Sequence, residues 1–138
     1  MSRIARAGAL LGTSVALAAA LGGVAHAAPT KPPKGCYVIV YSGKNFTGQA
    51  ACIMKNRKDM SKMVWGNGSK ANDSVSSVKV DKVCDLFLYR DANYLGNGNA
   101  WAHTANRSGV WRKIPSLAGT AVGDNKTSSI KINCYINT

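Results

Sequence analysis

The sequence contains no glutamate, and all six of its acidic residues are aspartate. A paired-carboxylate site would need converging aspartates, yet Asp59, Asp81, Asp85 and Asp91 show no spacing that demands convergence. Histidine is equally scarce. Beyond residue 27 there is only His103, in Ala-Trp-Ala-His-Thr, and no G-x-S-x-G surrounds any serine, so a Ser–His–Asp set has no support. No C-x-x-C pair occurs, which together with the single histidine argues against a zinc site. No segment after residue 27 keeps a 3.6-residue apolar period for three turns, which speaks against a helical domain. These absences point to a non-catalytic, all-β protein.

Long apolar runs are also missing, with one exception at the N-terminus. Ala7–Ala20 is rich in Ala and Leu, preceded by Arg3 and Arg6, closed by Gly22 and Gly23, and followed by the small-x-small pattern Ala25-His26-Ala27. The run is short for a membrane span, and no stop-transfer charge cluster follows it. Residues 1–27 are therefore expected to be a signal peptide, and the product a secreted protein without a transmembrane segment. Residues 28–35 are rich in Pro and Lys and read as a flexible basic arm. The chain from Cys36 to Thr138 has the length of one domain, for which a monomer is expected.

Charge is one-sided. Without Arg3 and Arg6, sixteen Lys and Arg face six Asp, a formal balance of +10. Such a balance favours anionic cell-surface polymers, anionic membranes or acidic proteins as partners, and export sets nucleic acid aside. The cluster Lys55-Asn56-Arg57-Lys58, with Lys62, is the densest basic segment. Trp65, Trp101 and Trp111 would suit a sugar- or peptide-binding face, although in a domain this small most aromatics are core.

What the chain does have is an internal repeat. Tyr41 to Gly48 and Tyr89 to Gly96 both read Y-x-x-x-N-[aromatic]-x-G, and Cys36 and Cys84 each precede the tyrosine by five residues. Further along, Asn72 to Val80 aligns with Asp124 to Ile132. Cys36–Tyr41 and Cys84–Tyr89 are β-branched and aromatic runs, while Ser77–Val80 and Ser129–Ile132 alternate polar and apolar residues as half-buried strands do. Strand, hairpin, long excursion and strand, repeated once, describe two Greek keys packed as a sandwich. Four cysteines in an exported chain argue for two disulfides. If Tyr41 and Gln49 flank the first hairpin, Cys36 faces Cys52 across it, and Cys84 and Cys134 would then join the first and last strands of the second unit. Four cysteines allow three connectivities in all.

These motifs resemble the βγ-crystallin family, in its microbial, single-domain, calcium-binding form, with motif one over 36–82 and motif two over 83–138. The resemblance implies that Gly48 and Gly96 occupy a backbone conformation that folds the hairpin over. It implies that Ser77 and Ser129 hydrogen-bond to that hairpin. Tyr41 with Phe46, and Tyr89 with Tyr94, would form its aromatic corners. The family's calcium signature, [ND]-[ND]-x-x-[ST]-S, is matched by Asn72-Asp73-Ser74-Val75-Ser76-Ser77 and by Asp124-Asn125-Lys126-Thr127-Ser128-Ser129. In the family two ions are shared between the motifs, the second acidic or amide residue and a carbonyl coming from one and the hydroxyl from the other. Carried over, this nominates Asp73, Ser74 and Ser76 with Asn125, Lys126 (by its carbonyl) and Ser128, beside Asn72 and Asp124. Carbonyls of Lys44 and Ala92 would complete the shells of up to two Ca2+ ions. Calcium accepts such oxygens, but few ligand charges mean modest affinity.

The resemblance implies a secreted, calcium-stabilised, non-catalytic module. A competing expectation is a protease inhibitor acting on an extracellular protease, or an antimicrobial, killer-toxin-like protein, since exported relatives of this fold include both. Its docking segment would be the long stretch Ala92–Ser116. A structural protein of the cell surface is a third reading.

Overall fold

β-Branched and aromatic runs at Val38–Tyr41, Ser77–Val80, Cys84–Asp91 and Ser129–Cys134 form four of the seven strands in the residues that the computed structural model describes, 34–101 and 111–135. The expected signal peptide, all of the basic arm except Lys34 and Gly35, and His103 lie outside those residues. The strands are β1 (Val38–Tyr41), β2 (Ala50–Ile53), β3 (Ser77–Val80), β4 (Cys84–Asp91), β5 (Leu95–Trp101), β6 (Arg112–Ile114) and β7 (Ser129–Cys134). Single 3-10 turns, Lys44–Phe46 and Ala92–Tyr94, stand between β1 and β2 and between β4 and β5.

Two antiparallel sheets result, ordered β2-β1-β3-β6 and β5-β4-β7. The halves of the chain exchange elements. β6 belongs to the second repeat but pairs with β3 of the first, placing Ile114 opposite Val78. Reciprocally, Arg57 of the first repeat bridges Ile130 of β7, with the N–H of each donating to the other's carbonyl at 2.7 and 2.8 Å. The doubled Greek key expected from the sequence is present, and the exchange welds its halves. Strand bounds differ slightly from expectation. β1 begins at Val38, whereas β4 runs on to Asp91, where it still pairs with Leu95 of β5, and β7 runs to Cys134, opposite Cys84.

The inner faces meet in one core. Val38 and Val40 of β1, Val78 and Val80 of β3, Leu86 and Leu88 of β4 and Ile130 of β7 are buried together, with Met60, Trp65, Leu117 and Val122 contributed by the excursions. Trp65 is therefore a core residue. Its indole N–H donates to the Ser74 hydroxyl at 2.8 Å, satisfying the polar tip of a buried ring. Trp101 and Trp111 are half-buried against the two apolar clusters, so the three tryptophans form no shared open face. Disulfides join Cys36 to Cys52 and Cys84 to Cys134, the pairing expected from the strand order. Among the described residues, no helix is long and apolar enough to cross a membrane.

Candidate functional site

Each hairpin folds over in the same way. The 3-10 turns end in consecutive residues with left-handed backbone, Asn45 and Phe46 in one and Asn93 and Tyr94 in the other. Gly48 and Gly96 then adopt φ of 75° and 74°, where a side chain is strained, and a Cβ there would strike Ser42 or Asp91. The folded hairpin is pinned by a buried serine. The Ser77 hydroxyl donates to the Gly43 carbonyl at 2.6 Å and accepts the Phe46 N–H at 3.0 Å. Ser129 repeats this with the Asp91 carbonyl and the Tyr94 N–H at the same two distances. Tyr41 meets Phe46 edge-on, with ring centroids 5.6 Å apart, and Tyr89 packs on Tyr94 at 5.8 Å. The Lys79 ammonium lies 4.8 Å from the centre of the Phe46 ring, capping the first corner.

Between the hairpins lie two clusters, each built from both repeats. The Ser128 hydroxyl donates to Asp73 Oδ1 at 2.9 Å, and the Ser76 hydroxyl donates to Asn125 Oδ1 at 3.0 Å. Asp73 and Asn125 share a φ of 52°, a conformation that Asp and Asn tolerate better than most residues. The backbone supports both in parallel. The Asp73 N–H donates to the Thr127 carbonyl at 3.1 Å, and the Asn125 N–H to the Val75 carbonyl at 3.0 Å. Each cluster thus sets an acid or amide oxygen of one repeat beside a hydroxyl of the other, the sharing that the signature implied.

The remaining nominated residues are placed less evenly. Asn72 donates through Nδ2 to Asp73 Oδ2 at 2.8 Å. The Ser74 hydroxyl is committed to Trp65 and to the Ala71 carbonyl, 2.8 Å away, and so is turned away from the Asp73 and Ser128 side chains. The Lys44 carbonyl accepts from the Thr47 hydroxyl at 2.7 Å within its own hairpin. Ala92 is half-buried at the start of the second 3-10 turn, and Lys126 is exposed. Asp124 has Oδ2 3.6 Å from the Lys44 ammonium, while its Oδ1 is buried without a hydrogen-bond partner. Among the described residues no three His, Cys, Asp or Glu side chains converge. Hydroxyl, amide and carbonyl oxygens with few carboxylates suit a hard ion such as calcium, and the unpartnered oxygen of Asp124 lies in that neighbourhood.

Two other candidates differ in character. In the basic segment, Lys55, Lys58 and Lys62 are exposed, whereas Arg57 is half-buried at the bridge to β7. Asp59 within it is held below the ordinary carboxylate range by the Ser61 N–H and hydroxyl, and then by Lys62. The Ala92–Ser116 stretch is described only in part, because 102–110 lie outside the described residues. Within its described part, β5 is an edge strand with no charged residue and no proline, the devices that usually blunt an edge.

Comparison with known proteins agrees with this architecture. The sequence model of peptidase inhibitor family I36 matches residues 25–104, more than half of the chain. A domain solved in work on the evolution of the eye lens βγ-crystallin domain fold superposes with a TM-score of 0.61 at 22% identity, covering 78% of this chain and 94% of that one. A βγ-crystallin from an archaeon gives 0.52 at 24% identity, over 70% and 96% of the two chains. A βγ-crystallin domain from Flavobacterium johnsoniae gives 0.55 at 20%, over 74% and 99%. None of the curated proteins matches the chain. At these identities the solved structures establish the fold: it is that of the βγ-crystallins.

Proposed function

The chain belongs to peptidase inhibitor family I36, and from that premise we propose that it is an exported, non-catalytic peptidase inhibitor built on a βγ-crystallin scaffold. The family match over residues 25–104 carries this reading. The scaffold supports it. Two disulfides and a core shared by both repeats hold the surface strands rigid, which lowers the ordering cost of binding a protease. Disulfides also belong to an oxidising compartment, in keeping with removal of residues 1–27 on export. The test is a panel of extracellular metallo-, serine and cysteine peptidases titrated with the oxidised protein. Stoichiometric loss of activity in at least one class is expected, with the protein recovered uncleaved. If every peptidase keeps full activity at a tenfold excess of folded protein, the reading fails.

A second reading concerns the scaffold and rests on the paired clusters. Calcium would be held by Asp73 with Ser128, and by Asn125 with Ser76, together with nearby carbonyls. It would supply a fixed positive centre that ties one repeat to the other. An ion that binds only the folded state raises its stability by linkage, by about 2.7 kcal/mol at a hundredfold excess over Kd. Melting of the oxidised protein should therefore rise by several degrees between chelator and millimolar calcium. An unchanged midpoint over that range defeats the calcium reading and leaves the inhibitor reading standing.

A further inference from the structure

We propose that the two clusters are unequal toward calcium, and that Lys44 makes them so. The inference rests on the calcium reading above and concerns how this chain's own residues divide that binding between its halves.

The repeat makes the comparison residue by residue. Asp73 matches Asn125, Ser128 matches Ser76, Asn72 matches Asp124, and Ala92 matches Lys44. In the Asp73–Ser128 cluster the ion-facing oxygen belongs to a carboxylate. Its neighbour Asn72 is a neutral amide that donates to Asp73, and Ala92, the hairpin position equivalent to Lys44, carries no charge. The formal charge of that cluster is −1. In the Ser76–Asn125 cluster the corresponding oxygen belongs to a neutral amide. Its one carboxylate, Asp124, stands 3.6 Å from the Lys44 ammonium, so the formal charge there is zero. Lys44 acts as a resident cation in the place where the other cluster has a methyl group.

Ligand charge count is a main determinant of calcium affinity. One unit of charge facing a divalent ion about 6 Å away through water-like surroundings changes affinity about tenfold. Each cluster holds one carboxylate, Asp73 or Asp124, so the difference in charge between them is the Lys44 ammonium. The Asp73–Ser128 cluster therefore binds first. The Ser76–Asn125 cluster fills only at calcium concentrations about tenfold higher. Lys44 is half-exposed, so its share of the difference is screened by salt and narrows as ionic strength rises.

Calorimetric titration of the oxidised protein with calcium chloride tests this, with melting curves confirming that each variant is folded. The unaltered protein should show one ion bound about tenfold more tightly than a second. Lys44→Ala should tighten the second site about tenfold and leave the first unchanged. Ala92→Lys should weaken the first by a similar factor, and Asp73→Ala should remove it, leaving the weaker event. Two equal sites in the unaltered protein, or a Lys44→Ala titration indistinguishable from it, would overturn the proposal while leaving calcium binding intact. Absence of binding heat and of any melting shift in all four proteins would defeat calcium binding itself, and this proposal with it.

Discussion

The two repeats are most alike where they hold their hairpins and least alike in how they reach the opposite sheet. Arg57 and Ile114 are equivalent, since each pairs across to the middle of the other repeat's last strand, at Ile130 and Val78. Arg57 follows Gly48 by nine positions, and Ile114 follows Gly96 by eighteen. The second repeat inserts its extra length before the crossing element, in β5 and the residues after it. The first repeat inserts length afterwards, in the segment that plugs the core with Met60 and Trp65. The crossing elements differ to match. Ile114 is buried and belongs to a three-residue strand, whereas Arg57 makes a lone bridge and leaves its Nε buried without a partner. A duplicated fold thus keeps a shared backbone frame and varies in what fills it.

The largest expected break in the symmetry is covalent. Cys84–Cys134 closes a separation of 50 residues and ties the first strand of repeat two to its last, while Cys36–Cys52 closes 16 across one hairpin. Loop entropy makes the longer bridge worth about 4 kcal/mol and the shorter about 3 kcal/mol. Urea denaturation of the two Cys-to-Ala pairs should rank them in that order, and the reverse ranking would show that local packing outweighs loop closure.

The pinning serines sharpen the likeness. Ser77→Ala and Ser129→Ala each leave one carbonyl and one N–H of a folded hairpin without a partner, at a cost of about 2 kcal/mol. Denaturation midpoints should fall equally for both, because the distances are the same in the two repeats. A gap above about 1 kcal/mol between them would mean that one hairpin has a support the other lacks.

The smallest effect has the opposite sign. Thr127 is fully buried with no partner for its hydroxyl, at the position where the first repeat has the equally buried Val75. Replacing Thr127 by Val removes an unsatisfied polar group at nearly constant volume, and should raise stability by about 1 kcal/mol. Val75→Thr should cost a similar amount. A loss of stability in Thr127→Val would reveal a partner for the hydroxyl and a real chemical difference between the halves.

Much of this was legible in the residues. The offset of Tyr41 and Gly48 from Tyr89 and Gly96 marks the hairpins, and alternation at Ser77–Val80 and Ser129–Ile132 marks the strands that follow, because both are local patterns. The disulfide pairing followed from strand order. The role of Ser74 was not legible. Its place in the signature nominates it toward an ion, but whether its hydroxyl turns outward depends on Trp65, nine residues earlier. The pairing of Lys44 with Asp124, eighty residues apart, is likewise invisible along the chain.

The sequence by itself determined that this is a doubled Greek key: strand period, the glycines at the hairpins and the spacing of four cysteines are short-range features, readable within a few residues. Only the tertiary structure decided that each repeat lends an element to the other's sheet, and that Lys44 of one half meets Asp124 of the other. Those pairings arise when two twisted sheets close over a common core, and their physical cause lies in burial across the sandwich. The inequality between the clusters has the same origin, since Lys44 and Asp124 meet only after the halves have packed.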